Sequence, residues 1–234
     1  MGVFPTVQSR LTAMYRIRAT LDRIRSLVFF QVFTVYVRYL IGGAFVISAF
    51  TLNKLGLYDA SAPYAGRTPF EQLDPIGRFF RVMFDSGLYW HFIGWSQVLT
   101  GLLLMTQKFA RLGALIFFVI ILNIFVITVS FGFTGTPVVA GLMLLAALFL
   151  LIWDLPAFMP IVIDGHVQPL GTLQLAGNVF WIWLGALQFV SIWVIGIFSP
   201  DMFLFLGFPF LLGLIGFVLF MFWKWPKVRS RTDV

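Results

Sequence analysis

FARLGALIFFVIILNIFVITVSF, residues 109–131, decides the class of fold. After Arg111 the stretch carries no charge. As a helix rising about 1.5 Å per residue it is about 34 Å long, enough to cross a hydrocarbon core of about 30 Å. Its apolar residues surround the helix instead of forming one stripe, and they do not alternate with the period of two expected of a barrel wall. The stretch therefore reads as a membrane-spanning helix. Five further runs of this kind follow the same logic, at 27–52, 87–106, 136–158, 176–198 and 202–225. The chain is expected to be an all-α integral membrane protein with about six transmembrane helices.

Composition agrees. Of 234 residues, 60% are hydrophobic and 11% are charged, whereas a soluble domain carries about 25% charge. The 29 phenylalanines and 8 tryptophans suit lipid-facing surfaces and interfacial belts. The absence of cysteine excludes disulfides, thiolate metal sites, iron–sulfur clusters and dithiol redox chemistry. A net charge of +7 would suit nucleic acid only if the basic residues shared a folded aqueous face. They lie instead in short segments between apolar runs, so no nucleic-acid partner is expected.

Those segments set the expected orientation. The N-terminal arm, residues 1–26, has Arg10, Arg16, Arg18, Arg23 and Arg25; the second turn has Lys108 and Arg111; the tail, residues 226–234 with the end of the last span, has Lys224, Lys227, Arg229 and Arg231. Eleven bases on this side face four on the other, Lys54, Arg67, Arg78 and Arg81, which are offset by Asp59, Glu71, Asp74 and Asp85. The positive-inside rule places both termini in the cytoplasm. The arm lacks the small-residue cleavage site of a signal peptide and is expected to be retained.

Two connecting segments carry structure of their own. Asp74-Pro75 is a helix start, and Ile76, Phe79, Phe80, Met83 and Phe84 follow at the spacing of one apolar face, predicting a surface helix over 74–86. Pro156, Pro160, Pro169 and Gly171, with Asp164-Gly165 among them, mark the segment 159–175 as a cytoplasmic linker between a four-span unit (27–158) and a two-span hairpin (176–225). No repeat and no pair of matching Gly/Pro-broken spans appears, which removes the best sequence signal for a carrier.

Polar residues in apolar runs are the candidate functional groups. Arg38 lies about 22 Å along the first helix from Asn53, nearer the cytoplasmic edge. It can snorkel to headgroups, pair with Asp154 at a similar depth on the fourth span, or hold an anionic ligand. A second group gathers toward the outer side: Asn53, Lys54, Asp85, His91, Gln97, Asn123 and Thr128. Such groups hydrogen-bond helix to helix, or they line a ligand cavity, for instance for a quinone headgroup, with Arg38, His91, Gln97 and Asn123 as contacts. The two histidines, His91 and His166, lie near opposite faces, so no bis-histidine haem is built within one chain. No metal site, catalytic triad or phosphate loop is evident, and no cofactor is expected within the chain. Gly42-Gly43, Gly113-Ala114, Gly213 and Gly216 are candidates for close helix contact.

Arg38-Tyr39-Leu40-Ile41-Gly42-Gly43 with Phe45 and Lys54-Leu55, then Gln97 with Gly101-Leu102, then Phe109-Ala110-Arg111-Leu112-Gly113-Ala114 leading to Asn123, and finally Trp153-Asp154 form a series over residues 34–156. In these residues the chain resembles the DoxX-like family of bacterial membrane proteins. The resemblance implies a four-helix bundle in the bacterial inner (cytoplasmic) membrane, associated in some members with sulfur-compound oxidation, quinone-linked electron transfer or membrane oxidoreductase complexes. The hairpin and the N-terminal arm lie outside that pattern and are surfaces for a larger partner.

The favoured expectation is a non-catalytic accessory or scaffold subunit of a larger bioenergetic membrane complex. Its partners are membrane lipids and other membrane subunits, and any pigment or haem is held by those subunits. The alternative is a quinone- or small-molecule-binding subunit of a membrane oxidoreductase; a transporter comes third.

Overall fold

The computed structural model describes residues 21–57, 61–162, 175, 177–198 and 202–224. Among these there is one isolated bridge, Ala62 to Gly66, and no strand. The helices are α1 (Val28–Thr51), α2 (Pro75–Asp85), α3 (Leu88–Met105), α4 (Ala110–Ser130), α5 (Thr136–Val162), α6 (Val179–Phe198) and α7 (Met202–Leu219), the last running into a π turn, Phe220–Lys224. A helical segment over 21–26 precedes α1. The readings placed on residues 1–20, 58–60, 163–174 and 225–234, including His166 and most of the linker, lie outside the described residues.

Five helices, all but α2 and α3, are long and apolar enough to cross a membrane. α3 matches them in length with 18 residues but carries Trp90, His91, Trp95, Ser96 and Gln97. These polar and amphipathic residues suit its central position: α3 is packed against α1, α4 and α6. The helix ends follow the apolar runs to within a few residues. The main departure is α5, which continues through Pro156 to Val162, beyond the expected end at 158. Near a helix end one lost backbone hydrogen bond is readily replaced, so a proline there need not stop the helix.

α1 is the hub. Two-thirds of its apolar window is buried, against 28% for α4 and 22% for the last span. One face joins Ile41 and Phe45 to Ala114, Phe117 and Ile121 of α4 and to Ala147 and Leu150 of α5. The other joins Val35, Tyr39, Val46 and Phe50 to Trp181, Leu184 and Ile192 of α6 and Phe205 of α7. Side-chain hydroxyls pin the hairpin in place: Tyr39 donates to the Trp181 carbonyl, and Tyr36 donates to the Gly213 carbonyl at 2.7 Å. The outer faces remain apolar. Val119, Leu142, Leu145, Trp183, Phe203 and Phe210 are all exposed, a surface compatible with lipid and not with water.

Close approaches explain the glycines. A Cβ on Gly185 would stand 1.9 Å from the Met105 carbonyl oxygen, and one on Gly101 would stand 2.7 Å from the Gly42 carbonyl oxygen. The contacts α3–α6 and α1–α3 are therefore backbone to backbone. The sequence pointed to Gly42 but not to Gly101 or Gly185. Gly185-Ala186 repeats the Gly113-Ala114 pattern, whereas Gly101 has no glycine or alanine within four residues on either side.

The surface helix forms as the spacing predicts. Asp74 caps α2, its Oδ1 accepting from the Gly77 N–H at 2.7 Å, with Pro75 in the first helical position. Phe80 packs on Tyr64, Phe133 and Trp90, Phe79 on Phe131, and Phe84 on Trp90. The apolar face is thus turned toward the bundle, while Arg78, Val82 and Asp85 are exposed.

Candidate functional site

Two clusters of polar side chains lie inside the bundle, one at each end. Because α1 starts and α5 ends on the same side, Arg38 and Asp154 reach one level. Arg38 Nη2 donates to Asp154 Oδ2 at 2.8 Å, and Nη1 donates to Gln107 Oε1 at 3.0 Å. Gln107 occupies the turn between α3 and α4 with φ of +61° and is itself anchored, its Nε2 donating to the Leu104 carbonyl.

Two further arginines approach the same carboxylate. Arg111 Nε lies 3.6 Å and Arg25 Nη2 lies 3.9 Å from Asp154 Oδ1. The Arg25 guanidinium also lies over the Trp153 ring, 5.8 Å from its centroid. In the sequence Arg25 is a topology signal, Arg111 a topology signal and a member of the 109–114 series, and Gln107 carries no signal. Arg25 is drawn inward because the segment before α1 continues as a helix. Arg111 stands in the first turn of α4, a place where a basic residue ordinarily faces headgroups.

The second cluster lies where α1 ends and α3 begins. Lys54, past the end of α1, is 5% exposed. Its Nζ donates to Gln97 Oε1 at 2.9 Å and to Ser48 Oγ at 3.3 Å, and it lies 5.7 Å from the Trp90 ring centroid. All three partners are neutral. Burial pushes the Lys54 ammonium down to about 8. His91 Nδ1 is 2.9 Å from the Lys54 carbonyl oxygen, so the half-buried imidazole supports this turn.

Of the other members of the expected outer group, Asp85, Thr128 and Asn123 do not converge there. Asn53 Oδ1 accepts from the Leu57 N–H at 3.2 Å, a local turn contact. Asp85 pairs with Arg81 at 2.8 Å on the exposed side of α2. Thr128 donates to the Phe125 carbonyl of its own helix. Asn123 is exposed on the outer face of α4 and shares that face with Val119 and Val126. Arg38, His91, Gln97 and Asn123 therefore do not line one cavity: Arg38 belongs to one end, His91 and Gln97 to the other, and Asn123 to the outside.

A cleft of about 520 Å³ lies at the loop end, bounded by Ser61, Ala62, Arg67, Arg81, Phe84 and Asp85. Its charged walls are largely the Arg81–Asp85 pair. Among the described residues no trio of His, Cys, Asp or Glu is placed to hold a metal ion. No protein-family model, curated protein or solved structure matches the chain.

Proposed function

We propose that the chain is a non-catalytic accessory or scaffold subunit of a larger bacterial membrane complex, one concerned with electron transfer. It would cross the inner membrane six times, with both termini cytoplasmic. The observation that carries this reading is the outward amide of Asn123. It stands about 20 Å along α4 from Ala110, well inside the thickness of a hydrocarbon core. Its neighbours on that face are apolar, and its side chain has no hydrogen-bond partner among the described residues. An amide facing hydrocarbon is unfavourable, and a hydrogen bond from another helix relieves it.

The inward polar groups support the same reading, since Arg38, Lys54 and Gln97 are engaged with other side chains of the chain itself. The DoxX-like assignment of residues 34–156 belongs to this proposal. Two pairs of the residues that carry the resemblance meet in the structure, Arg38 with Asp154 and Gly42 with Gly101.

The test is purification from native membranes in mild detergent, reading native size, stoichiometric partner chains and the ultraviolet–visible spectrum. A discrete hetero-complex with its pigment, haem or flavin on other chains, weakened by Asn123→Leu, is the expected result. An isolated chain or homo-oligomer carrying stoichiometric quinone would overturn the reading in favour of a quinone-binding subunit.

A further inference from the structure

The arginine cluster holds more buried donors than the chain satisfies. The Arg25 and Arg38 side chains are 6% and 3% exposed. Even so, Arg25 Nε and Nη2, Arg38 Nε and the Trp153 indole Nε1 have no hydrogen-bond partner. Against these four donor atoms stand two unpaired acceptors, Asp154 Oδ1 and the neutral Oε1 of Gln31, whose Nε2 donates to the Arg25 carbonyl at 2.7 Å.

Charge is unbalanced in the same direction. Three guanidinium groups lie within 3.9 Å of a single carboxylate, and Asp22, 3.9 Å from Arg25, is the one further acid in ion-pair reach of them among the described residues. A buried donor left without an acceptor costs about 1–3 kcal/mol, more for a charged group. Water could bridge Arg25 and Asp154 Oδ1, but it adds no negative charge. An oxyanion with several acceptor oxygens answers both deficits, and guanidinium groups match phosphate oxygens in fork geometry.

The cluster is also open where such a group would arrive. Arg111 is 47% exposed. It stands in the first turn of α4, at a helix end, where free backbone N–H groups and the helix dipole favour an anion. We propose that Arg25, Arg38 and Arg111 bind a phosphoryl oxyanion at this end of the bundle, taken either from the headgroup of an anionic phospholipid or as free phosphate. The proposal stands apart from the accessory-subunit reading, because it concerns this chain whatever its partners are.

The experiment follows thermal unfolding of the delipidated full-length chain in neutral detergent. One arm replaces chloride by inorganic phosphate at constant ionic strength. The other adds phosphatidylglycerol or, as the zwitterionic control, phosphatidylcholine. A rise in Tm with phosphatidylglycerol but not phosphatidylcholine identifies the lipid source, a rise with phosphate identifies the free ion, and either supports the proposal. Arg111→Gln should raise the half-saturating concentration about fivefold or more, as expected for loss of a charge-assisted contact. Arg67→Gln, at the loop end, should leave it unchanged. No shift in either arm, or a shift equal in wild type and Arg111→Gln, overturns the site. Stability insensitive to both anions but lowered by Asp164→Asn also overturns it, by assigning the missing charge to the chain itself. Arg111 is half exposed, so the test does not depend on variants of the buried arginines that fail to fold.

Discussion

Asp154 Oδ2 accepts from Arg38 Nη2 at 2.8 Å, joining α1 to α5 across 116 positions of sequence. The two partners are not equivalent. If Arg38 is removed, Asp154 still has Arg111 at 3.6 Å and Arg25 at 3.9 Å. If Asp154 is neutralised, three guanidinium groups face one another with little compensation.

Asp154→Asn should therefore destabilise more than Arg38→Gln: about 3–5 kcal/mol against about 1–3 kcal/mol, typical of breaking a buried ion pair with and without a substitute partner. A double-mutant cycle on unfolding in detergent checks it, and the double variant should recover part of the Asp154→Asn loss. Simple additivity would mean that the pair is not coupled.

The tight contact of α6 on α3 gives a second expectation. Gly185→Ala places a methyl group 1.9 Å from the Met105 carbonyl oxygen, so the helices must part. The loss should be about 1–3 kcal/mol, as for overpacked cores. A Cβ on Gly207 of α7 meets nothing within 4 Å, and Gly207→Ala should be neutral or slightly stabilising. Equal Tm values for the two variants would show that α6 does not seat on α3 in this way.

The apolar helices and the α2 helix were legible because each depends on local sequence: length and apolarity for the former, a capped start and 3.6-residue spacing for the latter. The Arg38–Asp154 pair was open to estimation because helix rise converts residue number into depth. Depth carries no azimuth. Asn123 shares a level with other polar groups but points away from them, and a helix apolar on every face gives no stripe from which its rotation can be read. Arg25, Arg111 and Gln107 escaped for a related reason. Basic and amide residues at helix ends ordinarily mark an interface, and only the tertiary arrangement turns Arg25 and Arg111 toward Asp154 and Gln107 toward Arg38.

Topology can be checked independently of stability. Reporter fusions at Val234 and within 61–69 should report opposite sides, the former cytoplasmic, from eleven bases against four. Single cysteines, introduced into a chain that has none, should label freely at Val82 and Arg78 and poorly at Phe80 and Phe84. Equal labelling at all four positions would rule out the packing of α2 on the bundle.

The buried Lys54 predicts a pH dependence whose sign is fixed. Its ordinary value of 10.5 is pushed down to about 8 by burial, because its partners Gln97, Ser48 and Trp90 are neutral. Below pH 8 the folded and unfolded chains both hold the proton, and the folded state bears the full cost of a desolvated ammonium. Between pH 8 and 10.5 the folded chain has released a proton that the unfolded chain still binds, so stability should rise with pH across that window. The rise is on the order of 3 kcal/mol at most, from the size of the displacement. Lys54→Met alone would leave the Gln97 carbonyl oxygen without its donor, which offsets the gain. The double variant Lys54→Met with Gln97→Leu should therefore exceed wild type in stability at pH 7 and lose the rise between pH 8 and 10.5. Denaturation in detergent at pH 7, 8.5 and 10 measures both. Tyrosines that titrate near the top of the window affect wild type and variant alike, so the difference between the two curves isolates Lys54. A difference that stays constant across the three pH values would show that Lys54 titrates at its ordinary value and is hydrated in the folded protein.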